Sequence, residues 1–320
     1  MRTLRCAAMG PGIARLLLLL AGLLFGMTFI ANHELLRVLE APQITVVRFI
    51  GVTVLLNLIL ITQRQLRPRF SRGEWGLMAA SGLLAVPGAQ LSLVFGQRFL
   101  SPGMSGLVVA TGPAFAAALA AIFLRERLSP RQLFGVVLAF SGAATVVLFA
   151  SGTGTDLTVR NPWGAALVAQ AQLCWAGYTV ISKHLAANHA PLTAVTVAVT
   201  FGTMMMLPAA PGAIAELGGL GATEWFWLGH LVVLGTVVPY LIWFTSLQHL
   251  SANETVVFMF MIPLFALMWS AVLLGEQPAL LGLLGGVLIV SGVALTQRLS
   301  LRSRWTARAA VTDRPEVQPP

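Results

Sequence analysis

Residues 111–127 read TGPAFAAALAAIFLRER, and residues 261–277 read MIPLFALMWSAVLLGEQ. The two stretches share Pro113 and Pro263, Phe115 and Phe265, Ala116 and Ala266, and Glu126 and Glu276, all at one offset of 150. The same offset carries Glu74-Trp75 onto Glu224-Trp225, Leu100-Ser101 onto Leu250-Ser251, Gly135 onto Gly285, and Ser141-Gly142 onto Ser291-Gly292. No gap is needed to hold it. Each copy carries five long apolar segments. Five is odd, so the second copy starts on the other side of a bilayer. Inverted repeats of this kind are a common build of secondary transporters, with the substrate site where the halves meet.

Composition agrees with a bilayer. Hydrophobic residues make up 57% of the chain and charged residues 10%, against about 25% charged in a soluble domain. A span needs roughly 20 apolar residues, so ten spans leave room for short loops and no soluble domain. The expected spans are 13–33, 43–63, 75–98, 104–124, 132–150, 163–185, 192–210, 225–247, 254–274 and 279–297. The fold class is therefore an all-α membrane protein of ten transmembrane helices, arranged as two inverted five-helix repeats. The repeats cover 13–150 and 163–297, with an N-terminal tail over 1–12 and a basic, disordered tail over 298–320. Arg2, Arg5 and Arg15 followed by Leu16–Leu20 resemble a signal peptide. The apolar run continues to about Ala31 without an A-x-A end, so a retained first span is expected.

The net charge of +9 is a matter of orientation. With the N-terminus in the cytoplasm, sixteen of the twenty basic residues fall inside, Lys183 among them, and three fall outside: Arg37, Arg98 and Arg160. That is a strong positive-inside bias. It predicts both termini in the cytoplasm and a multi-pass protein of the plasma (inner) membrane, and it excludes nucleic acid as the partner. The two cysteines, Cys6 and Cys174, give no disulfide framework.

These residues resemble a known family. Phe25-Gly26, Arg48-Phe49, the run Gly96 to Gly103, Gly112-Pro113-Ala114-Phe115 and Arg125-Glu126 occur in that order, then again as Trp175-Ala176, Ser246 to Asn253, Ile262-Pro263-Leu264-Phe265 and Gly275-Glu276. Over about residues 13–297 the chain resembles a ten-span member of the drug/metabolite transporter superfamily built from two EamA domains. The resemblance implies a central cavity lined by spans 1, 3, 4, 6, 8 and 9. There are departures: Phe25 stands where the family has Trp, Ala198 stands opposite Arg48, and His33 stands opposite Lys183.

Polar residues within hydrocarbon are costly and tend to face a cavity or each other. Thr28, Gln90, Thr111, Tyr178 and Tyr240 fall near mid-depth, and Gln90 and Tyr240 occupy matching repeat positions. With Trp175 and Trp243, which could stack on a substrate or belong to the core, they are the candidate lining. Arg48 carries two readings: a fork for a carboxylate or phosphate, or a structural Arg that snorkels outward or pairs with Glu34 or Glu40. His33 and His230 read as interfacial or satisfied histidines, against a proton relay as the alternative. Pro87, Pro113, Pro239 and Pro263 bracket one level as expected hinges, because proline frees a carbonyl and kinks a helix. Glu254 is the carboxylate considered for proton coupling, against a simple acidic helix start. Glu126 and Glu276 read as caps or loop anchors.

The sequence reading is a secondary, non-ATP transporter of a small metabolite, amino acid or drug-like compound, acting as an exporter by alternating access. No P-loop pattern is present, and no metal or cofactor spacing, so no cofactor and no catalytic residue are expected. The partners are a small-molecule substrate and the lipid bilayer, with the protein a monomer or a homodimer. One alternative is an intramembrane serine protease, because Gly103-Met104-Ser105-Gly106 resembles the rhomboid serine motif and His230 could supply a base. The other is a passive channel or scaffold.

Overall fold

The computed structural model describes residues 10–63, 70–100, 105, 108–126, 129–149, 162–274, 280–281 and 283–295. Among them the secondary structure is helical, with no strand. In chain order the helices are α1 (Pro11–Leu35), α2 (Ala41–Thr62), α3 (Arg72–Gln97), α4 (Gly112–Phe123) and α5 (Pro130–Phe149). The second half gives α6 (Pro162–Leu185), α7 (Pro191–Leu217), α8 (Ala222–His249), α9 (252–274) and α10 (Leu283–Leu295). Five of them, α1, α2, α3, α7 and α8, are long and apolar enough to cross a membrane. In the span expected over 104–124, residues 105, 108 and 109 are helical, a turn follows at 110–111, and continuous helix runs from Gly112.

The helix starts follow from local chemistry. Ser71 and Glu74 close a capping box at the head of α3, and Ser251 and Glu254 close another at the head of α9. Each box satisfies donors that a helix start leaves orphaned. Arg125 ends α4 with φ at 55°, a left-handed backbone that favours glycine. Its repeat partner is Gly275, so the first copy holds Arg where the second holds the residue suited to this turn.

The halves are interleaved. Helix α1 packs against α8 and α9, and its repeat partner α6 packs against α3 and α4. Helix α3 packs on α7, and α8 packs on α2. Each of these contacts reappears with the halves exchanged, as a two-fold relation requires. At residue level, Gly142 meets the Gly285 carbonyl and Gly292 meets the Gly135 carbonyl. Thr53 and Thr203, one repeat apart, hydrogen-bond each other at 2.7 Å. Small residues let these backbones approach closely. Helix α1 is part of this packing: Ala14, Leu18 and Ala21 are buried.

Candidate functional site

Both third helices lose regularity at one level. In α3 a π-helical stretch, Leu84–Leu91, contains Pro87. In α8 a π-helical stretch, Val233–Val237, ends two residues before Pro239. Pro113 sits in the first turn of α4, and Pro263 follows the 3-10 stretch Val257–Phe260 in α9. Proline has no N–H to give the carbonyl four residues back. For Pro239 that carbonyl is Gly235, and it is not left orphaned: Arg48 Nη2 donates to it at 2.9 Å.

Arg48 is buried, with 2% of its surface exposed. Its Nε donates to Thr236 Oγ1 at 2.7 Å and its Nη1 to Gln90 Oε1 at 3.1 Å. Its guanidinium also lies 5.4 Å from the Phe49 ring centroid. Thr236 passes its own proton to the Leu231 carbonyl, so its oxygen is free to accept. The residue neither snorkels nor pairs with Glu34 or Glu40, which hold Arg37 and Arg98 instead. Arg48 is thereby tied to both π-helical stretches, α3 through Gln90 and α8 through Gly235 and Thr236.

A cavity opens beside this junction, with an empty volume of about 490 Å³ that includes the solvent at its mouth. Thr28, Arg48, Gln90 and Trp175 line it, together with Phe25, Phe29, Gln172 and Met259. The lining comes from both halves: α1 to α3 on one side, α6 and α9 on the other. Tyr178, Tyr240 and Trp243 are placed behind Trp175, whose ring centroid is 5.1, 5.3 and 5.4 Å from theirs. All three are buried, and Trp243 Nε1 donates to Thr179 Oγ1 at 3.2 Å. Thr28 and Thr111 each turn their hydroxyl onto a carbonyl three residues back, Phe25 and Val108.

Gln172 and Phe29 are lining residues that the sequence reading did not single out. Gln172 lies three residues before Trp175, so a polar residue at helical spacing from a candidate was the available signal. Its Oε1 and the Trp175 Nε1 are buried without a hydrogen-bond partner among the described residues. Gly112 leaves the room for Gln172: a Cβ there would sit 2.7 Å from Oε1.

Phe29 also lines a smaller cavity with His33, Leu36, Gln97, Leu100 and Ser105. Toward the opposite end of α1 a group of polar contacts ties helices together. Arg15 Nη2 meets Glu254 Oε1 at 3.0 Å, with side chains 12% and 4% exposed. Glu126 accepts the Ala252 and Asn253 N–H groups, both at 3.1 Å, so it caps α9 rather than its own helix. Lys183 Nζ donates to the Leu247 and Leu250 carbonyls at the tail of α8, each at 2.7 Å. Both placements suit the helix dipole. Removing one partner of a buried ion pair costs about 3–5 kcal/mol because the other charge is left unpaired, so Arg15 and Glu254 hold α1 and α9 together as a pair.

The protease geometry is not formed. Ser105 Oγ is buried and has no hydrogen-bond partner among the described residues, and His230 packs its ring against Trp227. Gly103, Met104 and Gly106 lie outside the described residues, as do Gly275, Glu276, residues 1–9 and residues 296–320. Among the described residues no cluster of His, Cys, Asp and Glu could hold a metal ion.

Comparison with known proteins gives a consistent picture. The sequence profile of the EamA-like transporter family matches residues 12–148 and again residues 162–298. A protein of Archaeoglobus fulgidus described as an uncharacterized transporter is 27% identical over 277 residues, 86% of this chain and 95% of its own. A probable terminal-alkyne amino-acid exporter of Streptantibioticus cattleyicolor is 29% identical over 231 residues, 72% of this chain and 76% of its own. A crystal structure superposes with a TM-score of 0.74 at 18% identity, over 91% of this chain and 98% of the other. At that identity it supports the fold alone.

Proposed function

The chain belongs to the EamA-like transporter family, a multi-pass membrane protein that handles a small molecule, and on that premise we propose that it is a secondary carrier working by alternating access. The proposed frame is ten spans in two inverted five-helix repeats, 13–150 and 163–297. Short tails over 1–12 and 298–320 and both termini lie in the cytoplasm, and the membrane is the plasma (inner) membrane. The substrate is a metabolite, amino acid or drug-like compound, and the direction is export.

One observation carries this reading. The cavity lies between residues of both halves, and toward the other end of α1 the halves are joined by the Arg15–Glu254 ion pair and the Glu126 cap. A carrier needs a site between two rocking halves and a closure that can be undone. The clasp joins side chains of different halves, so it can break without unfolding either. With Arg15 on the cytoplasmic side, this closure is the inner one. Glu254 already serves a capping box and an ion pair. Its protonation would loosen both, which is how it would couple closure to a proton gradient.

The experiment is counterflow in proteoliposomes. Vesicles preloaded with one member of a metabolite panel at millimolar concentration are offered the same compound, labelled, at micromolar concentration outside. A carrier gives a saturable overshoot for its substrate. Flux that rises linearly with concentration and shows no overshoot would indicate a channel, and flux with no dependence on the protein would refute transport of that panel.

A further inference from the structure

We propose that the cavity is built for a small amphipathic monoanion, a carboxylate on a flat apolar body, with Arg48 as its counter-charge. This rests on the carrier reading and adds the chemistry of what is carried. The argument begins with a charge balance. Arg48 is the charged residue among the described residues that line the cavity. Its hydrogen-bond partners among the described residues are a hydroxyl, an amide oxygen and a carbonyl, and no carboxylate of the described residues lies within ion-pair distance of it. A guanidinium has five N–H donors, so three are engaged and two remain. A buried charge is tolerated when it is paired. Here three neutral acceptors hold the group in place but leave its charge uncompensated.

The rest of the wall fixes the other half of the ligand. Phe25 and Trp175 stand edge to face, 5.9 Å between centroids, and Phe29, Leu93, Met259 and Ile262 complete an apolar surface. Gln172 Oε1 and Trp175 Nε1 are buried with no partner among the described residues, one an acceptor and the other a donor. Unmet buried polar groups are costly and are satisfied when a ligand offers the complement. The ligand this describes has one negative charge for Arg48, a flat apolar body for the aromatic wall, and at most one or two small polar groups for Gln172 and Trp175. A cation would meet the field of Arg48 with no acidic residue in the lining to offset it.

The test uses three near-isosteric probes: phenylacetate, phenylacetamide and phenethylamine. They share one ring and differ in charge. Binding to the purified full chain in detergent is read by quenching of tryptophan fluorescence, since Trp175 lines the site, and by the shift in thermal midpoint. A charge-assisted hydrogen bond in place of a neutral one predicts that phenylacetate binds roughly tenfold more tightly than phenylacetamide, with phenethylamine weakest. Arg48→Gln should erase the preference for the acid, and Arg48→Lys should keep part of it. If Arg48→Gln does not fold, the ranking of the three probes on the unmodified protein still decides. Equal binding of acid and amide, preference for the amine, or no binding by any of the three would overturn the proposal. So would a folded Arg48→Gln protein that keeps the acid preference. A saturable counterflow of a neutral or cationic compound, found alongside any of these, would leave the carrier reading standing and remove the charge assignment alone.

Discussion

Gly82→Ala should destabilise the protein while Gly76→Ala, six residues away on α3, should not. A Cβ at Gly82 would press on the Ala198 carbonyl and sit 2.7 Å from the Gly202 nitrogen, both backbone atoms of α7. Ordinary contact begins near 3.4 Å, so α3 and α7 would have to part by about 0.7 Å at that nitrogen and by more at the carbonyl. No side chain can rotate away to supply the room. Overpacking of this kind costs about 1–3 kcal/mol. At Gly76 a Cβ meets nothing within 4 Å. Both variants gain the same helix propensity, about 1 kcal/mol for Ala over Gly, so comparing them isolates the steric cost. At about 2 °C per kcal/mol for a large chain, the Gly82→Ala midpoint should fall roughly 2–6 °C below that of Gly76→Ala. Tryptophan fluorescence of the detergent-solubilised protein, scanned at one heating rate, reads it. Coincident midpoints would refute the close crossing of α3 and α7, and with it the interleaving of the two halves.

Pro239→Ala restores an N–H that competes with Arg48 for the Gly235 carbonyl. Carrier flux should drop severalfold while the yield of folded protein by fluorescence-detected size exclusion holds, and unchanged flux would contradict the anchoring role of the kink. Arg125→Gly relieves a left-handed backbone at φ 55° and should raise stability by up to about 1 kcal/mol; a lowered thermal midpoint would count against that strain. Thr53→Val and Thr203→Val should show a coupling of about 0.5–1.5 kcal/mol in a double-mutant cycle, because they share one hydrogen bond across the repeat. Strict additivity would argue that the bond contributes nothing.

The fixed offset of 150 made the two-copy layout legible, because matched residues such as Gly142 and Gly292 perform the same packing in each copy. Proline positions likewise pointed to the level where α3 and α8 become irregular. What stayed hidden was every pairing that depends on long-range approach. The partners of Arg48 on α8 lie 187 and 188 residues away, and Glu254 meets Arg15 across 239. No local pattern reports such distances. Lining could not be told from backing either: Trp175 reaches the cavity while Tyr178, one turn on, lies behind it, since helical spacing fixes which residues are neighbours but not how the helix is rotated. Glu126 resembled a cap by position, yet which helix it caps depended on where α9 begins.

The central claim is that the clasp between α1 and α9 must open in each transport cycle. It is tested most directly by locking it. In a background with Cys6→Ser and Cys174→Ala, Arg15→Cys and Glu254→Cys are joined by a short reducible bifunctional thiol reagent, and counterflow is measured before reaction, after reaction, and after reduction. The account predicts that cross-linking abolishes the overshoot and that reduction restores it to the level before reaction. Full overshoot from protein shown by mass analysis to be cross-linked would contradict alternating access through this closure.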